Sequence, residues 1–369
     1  MNNRPAQFLA FAACFTAALT LATSRPRAQS PSLAVPTARL IPAALLTIPA
    51  LTDSNSPAVW ERVQGQPHLF VFASEAGEAM RLDGPDLSRL SGRSRIVFED
   101  HPGHGVWMES LVPDVDGTWY GFYHNEWPAE VCDDSSRTIP RIGAARSQDF
   151  GATWQNLGII LEAPPGSYDC ASTNQYFVGG VGDFSVMLDH DQQYLYIFFS
   201  QYANRESAQG VSVARMPWAD RDAPVGKIAV WLRNQTWLPA RSFKAAAAVR
   251  YAYPAGAPIY RAVESWHDSA SVDAFWGPSV HWNTFLQQYV MLLNRAMDAA
   301  WTQEGVYIAF TSQLSDPGTW STPERLIAGG GWYPQVLGLE PASGTDREAS
   351  ERARFFLGGK SRYLIQFAK

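Results

Sequence analysis

The chain has 369 residues, 46% hydrophobic and 17% charged, with 29 basic against 35 acidic side chains. That apolar content suffices for a core and excludes general disorder, while a formal net charge of −6 argues against a nucleic-acid binder, which needs a basic face. With 28 Gly and 25 Pro, turns must interrupt short elements throughout, so long helices are not expected.

Arg4 precedes an apolar run from Phe8 to Ala22, followed by Pro, Ser and Arg up to Ala28. The run is shorter than the ~20 residues a spanning helix needs, and the order of basic, apolar and small residues predicts a signal peptide over 1–28. The expected product is periplasmic or secreted, with no membrane association once the signal is gone. Cys14 leaves with the signal. Cys132 and Cys170 are then candidates for one disulfide in an oxidising compartment, the alternative being two independent thiols. Neither has a paired Cys/His spacing, so no metal site is expected there. Residues 29–50, rich in Pro, Ala, Thr and Leu without helical periodicity, read as an extended lead-in.

From Leu51 onward a pattern recurs. The clearest strands are dense in aromatic and β-branched residues: His68–Ala73, Thr118–Tyr123, Gln193–Phe199, Gln288–Leu293 and Arg354–Leu357. A strand precedes each, at Pro57–Trp60, Glu109–Val112, Phe184–Leu188, Ser279–Trp282 and Pro334–Leu337. Third strands carrying small residues follow at Ile142–Arg146, Val211–Arg215, Val306–Phe310 and Tyr363–Phe367. Five such units fit into 51–369, and radial repetition of four-stranded sheets protects their edges. The expected fold is all-β: a single five-bladed β-propeller of four-stranded antiparallel blades, with a loop-rich insert at about 235–275.

In an up-and-down blade the start of strand one and the end of strand two meet at one rim. Those positions collect Asp53, Glu109, Asp183 and Trp276–Ser279, then Ser74–Glu75, His124-Asn125-Glu126, Gln201-Tyr202, Asn294-Arg295 and Lys360. The opposite rim, with turns such as Asp116-Gly117, is ordinary. The first rim thus concentrates acids, histidine, amides and cations around one mouth.

Two resemblances add to this. Ser147-Gln-Asp149-Phe-Gly151-Ala-Thr153-Trp154 resembles the Asp-box of sialidase-like propellers, with a weaker echo at Ser312–Trp320. In that box the Asp accepts turn N–H groups, Gly permits positive φ and Trp packs beneath, so it bears on fold rather than chemistry. Asp53-Ser-Asn-Ser-Pro57-Ala-Val-Trp and Gly182-Asp183-Phe-Ser-Val-Met-Leu-Asp189 are similar to elements of the five-bladed glycoside hydrolases of family 43 and its family 32 relatives. The resemblance implies that Asp53 is the base or nucleophile and that Asp183 orients the sugar and adjusts the acid's pKa. It also allows a structural calcium ion in the central channel, although no loop has the carboxylate density that would call for one; no other cofactor is expected. The family's acid lies in a Glu-Gly-Pro triplet opening blade four, where this chain has Trp276-Gly277-Pro278. The acid must then come from Glu109, Glu126 or Glu264, or from His124 or His281.

The leading expectation is an exported glycoside hydrolase acting on a polysaccharide or oligosaccharide. Its catalytic candidates are Asp53, Asp183, Glu109 and Glu126, and its substrate-binding candidates His124, Asn125, His281, Arg295, Trp107 and Trp276. No protein partner is inferred. A non-catalytic glycan-binding propeller is the alternative, motivated by the missing Glu-Gly-Pro acid. A sialidase-like exo-hydrolase would require three arginines at the mouth, where only Arg205 and Arg295 are well placed.

Overall fold

A computed structural model describes residues 35–245, 248–267, 271–298 and 300–369. The expected signal segment 1–28, Cys14 included, lies outside the described residues. Among the described residues, regular structure is β-strand with short 3-10 turns and no helix is long and apolar enough to cross a membrane.

The strands make a five-bladed β-propeller. Blade I is built from Ala58–Val63, Gln66–Glu75, Glu78–Gly84 and Gly92–Arg95, and blade II from Gly105–Pro113, Trp119–Ala129, Asp134–Ser147 and Thr153–Leu161. Blade III uses Val181–Leu188, Tyr194–Gln201, Gly210–Pro217 and Ala229–Leu232, and blade IV Ala274–Asn283, Gln288–Ala296, Gln303–Thr311 and Glu324–Ala328. Blade V takes Pro334–Gly338, Arg352–Leu357 and Lys360–Ala368 from the end of the chain and its outermost strand, Thr37–Thr47, from the expected lead-in. That strand pairs antiparallel from Thr37↔Ala368 to Thr47↔Lys360 and closes the ring.

The blades depart from four plain antiparallel strands where extra edges are covered. Val97–Phe98 and Glu348–Ala349 add short parallel pairings to blades II and IV. The insert after blade III is more ordered than its composition suggests. Thr236–Pro239 extends that blade, Tyr260–Arg261 pairs with Gly210–Val211, and Arg241–Ala245 forms a hairpin with Ala248–Ala252.

Second strands such as Tyr194–Gln201 read as unbroken apolar runs because each blade is covered on both faces. The core is accordingly divided into layers between blades. Val112, Phe122 and Ile142 of blade II meet Val186, Ile197 and Phe199 of blade III, and Tyr196, Phe198 and Val213 meet Val280, Met291 and Leu293 of blade IV. Burying each such side chain contributes ~1.5–3 kcal/mol. One further cluster adjoins the mouth and is rich in aromatic residues, with Phe177, Tyr202, Trp266, Trp276, Trp301 and Tyr333 packed among Ala262, Val272, Ala274 and Ala296.

The turn between the third and fourth strands of blade II is locked by its own side chains. Asp149 accepts hydrogen bonds from the Ala152 and Thr153 amides and the Thr153 and Ser147 hydroxyls. Gly151 has φ +74° and Trp154 is fully buried.

Candidate active site

The inner strands of blades II, III and IV are each tied to the preceding blade by a serine. Ser74 Oγ accepts the Met108 amide at 3.0 Å, Ser110 Oγ that of Val186 at 2.8 Å and Ser185 Oγ that of Val280 at 3.1 Å. Just ahead of Ser110, Ser185 and Ser279 each inner strand carries a bulge: the pairing register shifts between Met108 and Ser110, between Gly182 and Phe184, and between Trp276 and Ser279. A bulge re-aims the extra residue. In blades II and III that residue is Glu109 or Asp183. Asp183 sits at φ +43°, a conformation that costs a non-glycine residue ~1–3 kcal/mol and is characteristic of functional sites.

These residues open on a pocket of about 550 Å³ lined by Asp53, Trp107, Glu109, His124, Glu126, Pro140, Tyr176, Phe177, Asp183, Tyr202, Trp301, Trp332 and Tyr333. The four catalytic candidates Asp53, Glu109, Glu126 and Asp183 are therefore together, with His124 and Trp107, whereas Glu75, also at a predicted strand end, does not line the pocket. The remaining binding candidates stand elsewhere. Asn125 is fully buried; its amide nitrogen donates to Gly103 and Gly105 carbonyls and its oxygen accepts from Arg141 Nε. Trp276 is fully buried one layer down, donating to Gln303 Oε1 and packing edge-on against Trp301 and Tyr333. Arg295 forms a two-pronged pair with Asp273 at 2.7 and 2.8 Å. His281 lies in the core with both ring nitrogens unpartnered, and burial alone pushes its pKa down to about 3. Glu264 bridges to Asp273 by its backbone and does not line the pocket.

The carboxylates differ in environment. Asp53 donates its amide to Ser74 O at 2.7 Å. Burial, then the charges of Asp183, Glu126 and Glu75, raise its pKa to about 6 against the pull of His124. Glu109 is 2% exposed, and burial drives its pKa well up, helped by Asp183 and Asp53 and opposed by His124 and the Phe184 amide, which donates to Oε2 at 2.7 Å. Burial also pushes Asp183 up, but Tyr202 and Tyr333 donate hydroxyls to its two oxygens. The pKa values of those tyrosines stand well above 10, so they keep their protons. Asp183 is thus the charged member of the pair and Glu109 the protonated one.

His124 receives two opposing influences. Burial resists charge on the ring, while its contact with Glu126 and the fields of Glu109 and Asp183 press the other way. Its Nδ1, however, accepts the Asp183 amide at 3.2 Å, which places the ring proton on Nε2 and leaves no room for a second. The bulge fixes that amide, and Glu109 Oε1 lies 3.7 Å from the same nitrogen. The extra proton of the Glu109–His124 pair therefore sits on Glu109. Nε2 stands 3.5 Å from Glu126 Oε1 without a hydrogen-bond partner.

Glu109, His124 and Asp183 also bring ligand atoms within 4.8 Å of one another, a spacing that could hold a cation. An imidazole in the set suits a transition metal better than calcium, which prefers oxygen. Here Nδ1, Glu109 Oε2 and both Asp183 oxygens are already engaged by protein donors. The cluster is arranged to hold protons.

The aromatic wall escaped the strand-based reading. Tyr176 and Phe177 ride on the loop between blades II and III, which the Cys132–Cys170 disulfide (Cα–Cα 5.2 Å) and Arg137, bonded to Cys170 O and Ser172 O, tie to blade II. Trp301, Trp332 and Tyr333 come from loops on blades IV and V. Tyr333 occupies the strand-one start of blade V, so the rule that found Asp53 would have found it too.

No protein-family model matches the sequence, and no curated protein matches it. Solved structures similar to it include an endo-arabinase from Bacteroides thetaiotaomicron, 12% identical with a TM-score of 0.48 over 88% of this chain and 96% of that one. A thermostable family-43 glycoside hydrolase is 11% identical, TM-score 0.45, over 87% and 91%. An alpha-L-arabinanase from Cellvibrio cellulosa is 12% identical, TM-score 0.45, over 86% and 90%.

Proposed function

We propose that the chain is an exported glycoside hydrolase that cleaves an O-glycosidic bond of an oligosaccharide or polysaccharide in this pocket. The observation that carries the reading is the convergence of Asp53, Glu109 and Asp183, from three consecutive blades, on one aromatic-walled cavity with protons unevenly divided among them. Glu109 holds a proton at neutral pH and delivers it to the leaving oxygen. Asp53, ionised above about pH 6, activates water or attacks the anomeric carbon. Asp183 stays anionic between its two tyrosines, sustains the proton on Glu109 and stabilises positive charge developing on the sugar ring. This assignment supplies from blade II the acid that blade IV lacks. Export is supported by the apolar Phe8–Ala22 run and by a disulfide of the kind that persists in oxidising compartments. The sialidase-like reading loses its basis, since no arginine lines the pocket among the described residues.

Sugar release from a broad glycan panel tests this, with Asp53→Asn and Glu109→Gln alongside. Wild-type release, reduced ~10²–10⁴-fold in each variant at unchanged melting temperature, is the expected result. Saturable glycan binding by the wild type without cleavage would instead make the protein a glycan-binding propeller. Full activity in folded Asp53→Asn would remove Asp53 from the mechanism.

A further inference from the structure

The pocket presents an unusual balance of hydrogen-bonding groups. Asp53, Glu109, Glu126 and Asp183 face a single imidazole, and among the described residues no Lys or Arg lines it. Arg141, in register with Asn125 beside His124, is committed to Asn125 Oδ1 and to the face of Trp127, 4.0 Å from the ring centroid. The hydroxyls of Tyr202 and Tyr333 are spent on Asp183. His124, 5% exposed, leaves Nε2 unpartnered in the pocket wall beside Glu126. What the cavity offers a ligand is mostly acceptors, with few donors.

The rest of the lining is π surface. Tyr176, 40% exposed, meets Trp301 and Trp332 edge-on at 81° and 84°, with centroids 5.4 and 6.1 Å apart, making an aromatic corner in the same pocket. The charge of Asp53 reaches Tyr176. Aromatic faces attract cations, tryptophan most strongly. Acceptor-rich carboxylates and π faces lining one pocket suit an ammonium group, which has three donors and no acceptor. The same lining repels uronic and sialic acids, whose carboxylates would meet like charge without a guanidinium to receive them.

We propose that the sugar held in this pocket is positively charged: a hexosamine with a free ammonium group, engaged by Asp53 or Glu126 and the aromatic corner. The inference rests on the glycoside hydrolase reading for its chemistry, while its charge selectivity is measurable by binding alone. A bound ammonium would also offset the carboxylate crowding that adds to burial in making Asp53 reluctant to ionise.

The test compares one skeleton in two charge states, a β-1,4-linked glucosamine oligomer with free amines and its fully N-acetylated counterpart. Binding is read by calorimetry and cleavage by reducing-end release, each at low and at physiological salt. The free-amine oligomer is expected to bind at least about tenfold more tightly, with the preference shrinking several-fold as salt rises. The preference is expected to vanish in folded Asp53→Asn/Glu126→Gln. Equal or tighter binding of the acetylated or an uncharged oligomer overturns the inference. So does a preference that survives in the double variant, since that is attraction to the acidic surface at large. Cleavage of uncharged oligosaccharides without amine preference sinks the charge selectivity and leaves the hydrolase standing. Amine-selective binding that the double variant abolishes, with no bond broken by the wild type, does the reverse.

Discussion

The inner strands of blades III and IV share a design up to the point where chemistry begins. Each has an extra residue just ahead of a buried serine, at Asp183 before Ser185 and at Gly277-Pro278 before Ser279. Each bulge is held from the second strand of blade III, where Ser200 Oγ donates to Asp183 O and accepts the Gly277 amide. In blade III the bulge carries a carboxylate at φ +43°, clamped by two phenols. In blade IV it carries glycine at φ +58°, which that backbone suits, and a Cβ built there would approach nothing closer than Asn294 Oδ1 at 3.8 Å. The propeller thus repeats the irregularity that re-aims a side chain, and the occupant of each bulge decides whether the blade contributes chemistry. Blades I to III contribute the acids, while blades IV and V contribute no acid and supply Trp301, Trp332 and Tyr333 to an aromatic wall completed by Tyr176 and Phe177 from the loop between blades II and III.

The largest break in this contrast removes the acid. With Asp53 titrating at about 6 as base and Glu109 titrating well above the usual glutamate range as acid, activity is expected to follow a bell. It falls below about pH 6 as Asp53 gains its proton, and falls again on the alkaline side as Glu109 loses its own. Glu109→Gln should lower kcat/KM ~10²–10⁴-fold on natural glycans and abolish the alkaline limb. Aryl glycosides whose phenols leave without protonation should restore most of the rate in Glu109→Gln and none of it in Asp53→Asn. An alkaline limb that persists in Glu109→Gln would move the acid to another residue.

A smaller effect tests the clamp. Tyr333 Oη donates to Asp183 Oδ1 at 3.2 Å, and a hydrogen bond to a charged group contributes ~1.5–3 kcal/mol. Tyr333→Phe favours protonated Asp183, which shifts the shared proton away from Glu109. We expect kcat to fall roughly tenfold to a hundredfold with KM little changed. A structural role alone would lower the melting temperature and leave that split absent.

Much of this was legible because the chemistry follows strand ends. The predicted strand-one starts lead to Asp53, Glu109 and Asp183, and a predicted strand-two end leads to His124 and Glu126. The blade II strands run further, over Gly105–Pro113 and Trp119–Ala129, and leave Glu109 and His124 mid-strand. Aromatic runs mark the second strands unmistakably. Other features had no local signal. Thr37–Thr47 finds its partner at Lys360–Ala368, and nothing in its own residues announces blade V. Glu78–Gly84, with Glu, Arg and Asp among its seven residues, lacks the apolar run that marks its neighbours. Trp276, Asn125 and Arg295 stand at the right height of their strands, but height is not direction. Successive side chains alternate between faces, and a bulge changes that phase by one residue. The register shift after Trp276 accompanies an indole turned into the packing beneath the pocket rather than toward it.

His281 gives the smallest effect and the cleanest contrast with His124. Both are buried histidines in strands near the channel. His124 is surrounded by acids, whereas His281 has none and neither ring nitrogen has a partner. Its folded pKa of about 3 lies below the ordinary 6.5, so below pH 6.5 the unfolded chain binds the proton first. Stability then falls by about 1.4 kcal/mol for each pH unit down to about 3. His281→Leu removes both the unpartnered nitrogens and this titration. At pH 7 it is expected to raise stability by ~1 kcal/mol, since a buried unsatisfied polar group costs ~1–3 kcal/mol and the slightly larger side chain must repack against Phe367. The gap between variant and wild type should then widen as the pH falls from 6.5 toward 4, with glycan cleavage unchanged at every pH. Denaturant midpoints across that range decide it. A variant less stable than wild type at pH 4 would mean that the imidazole has a polar partner in solution.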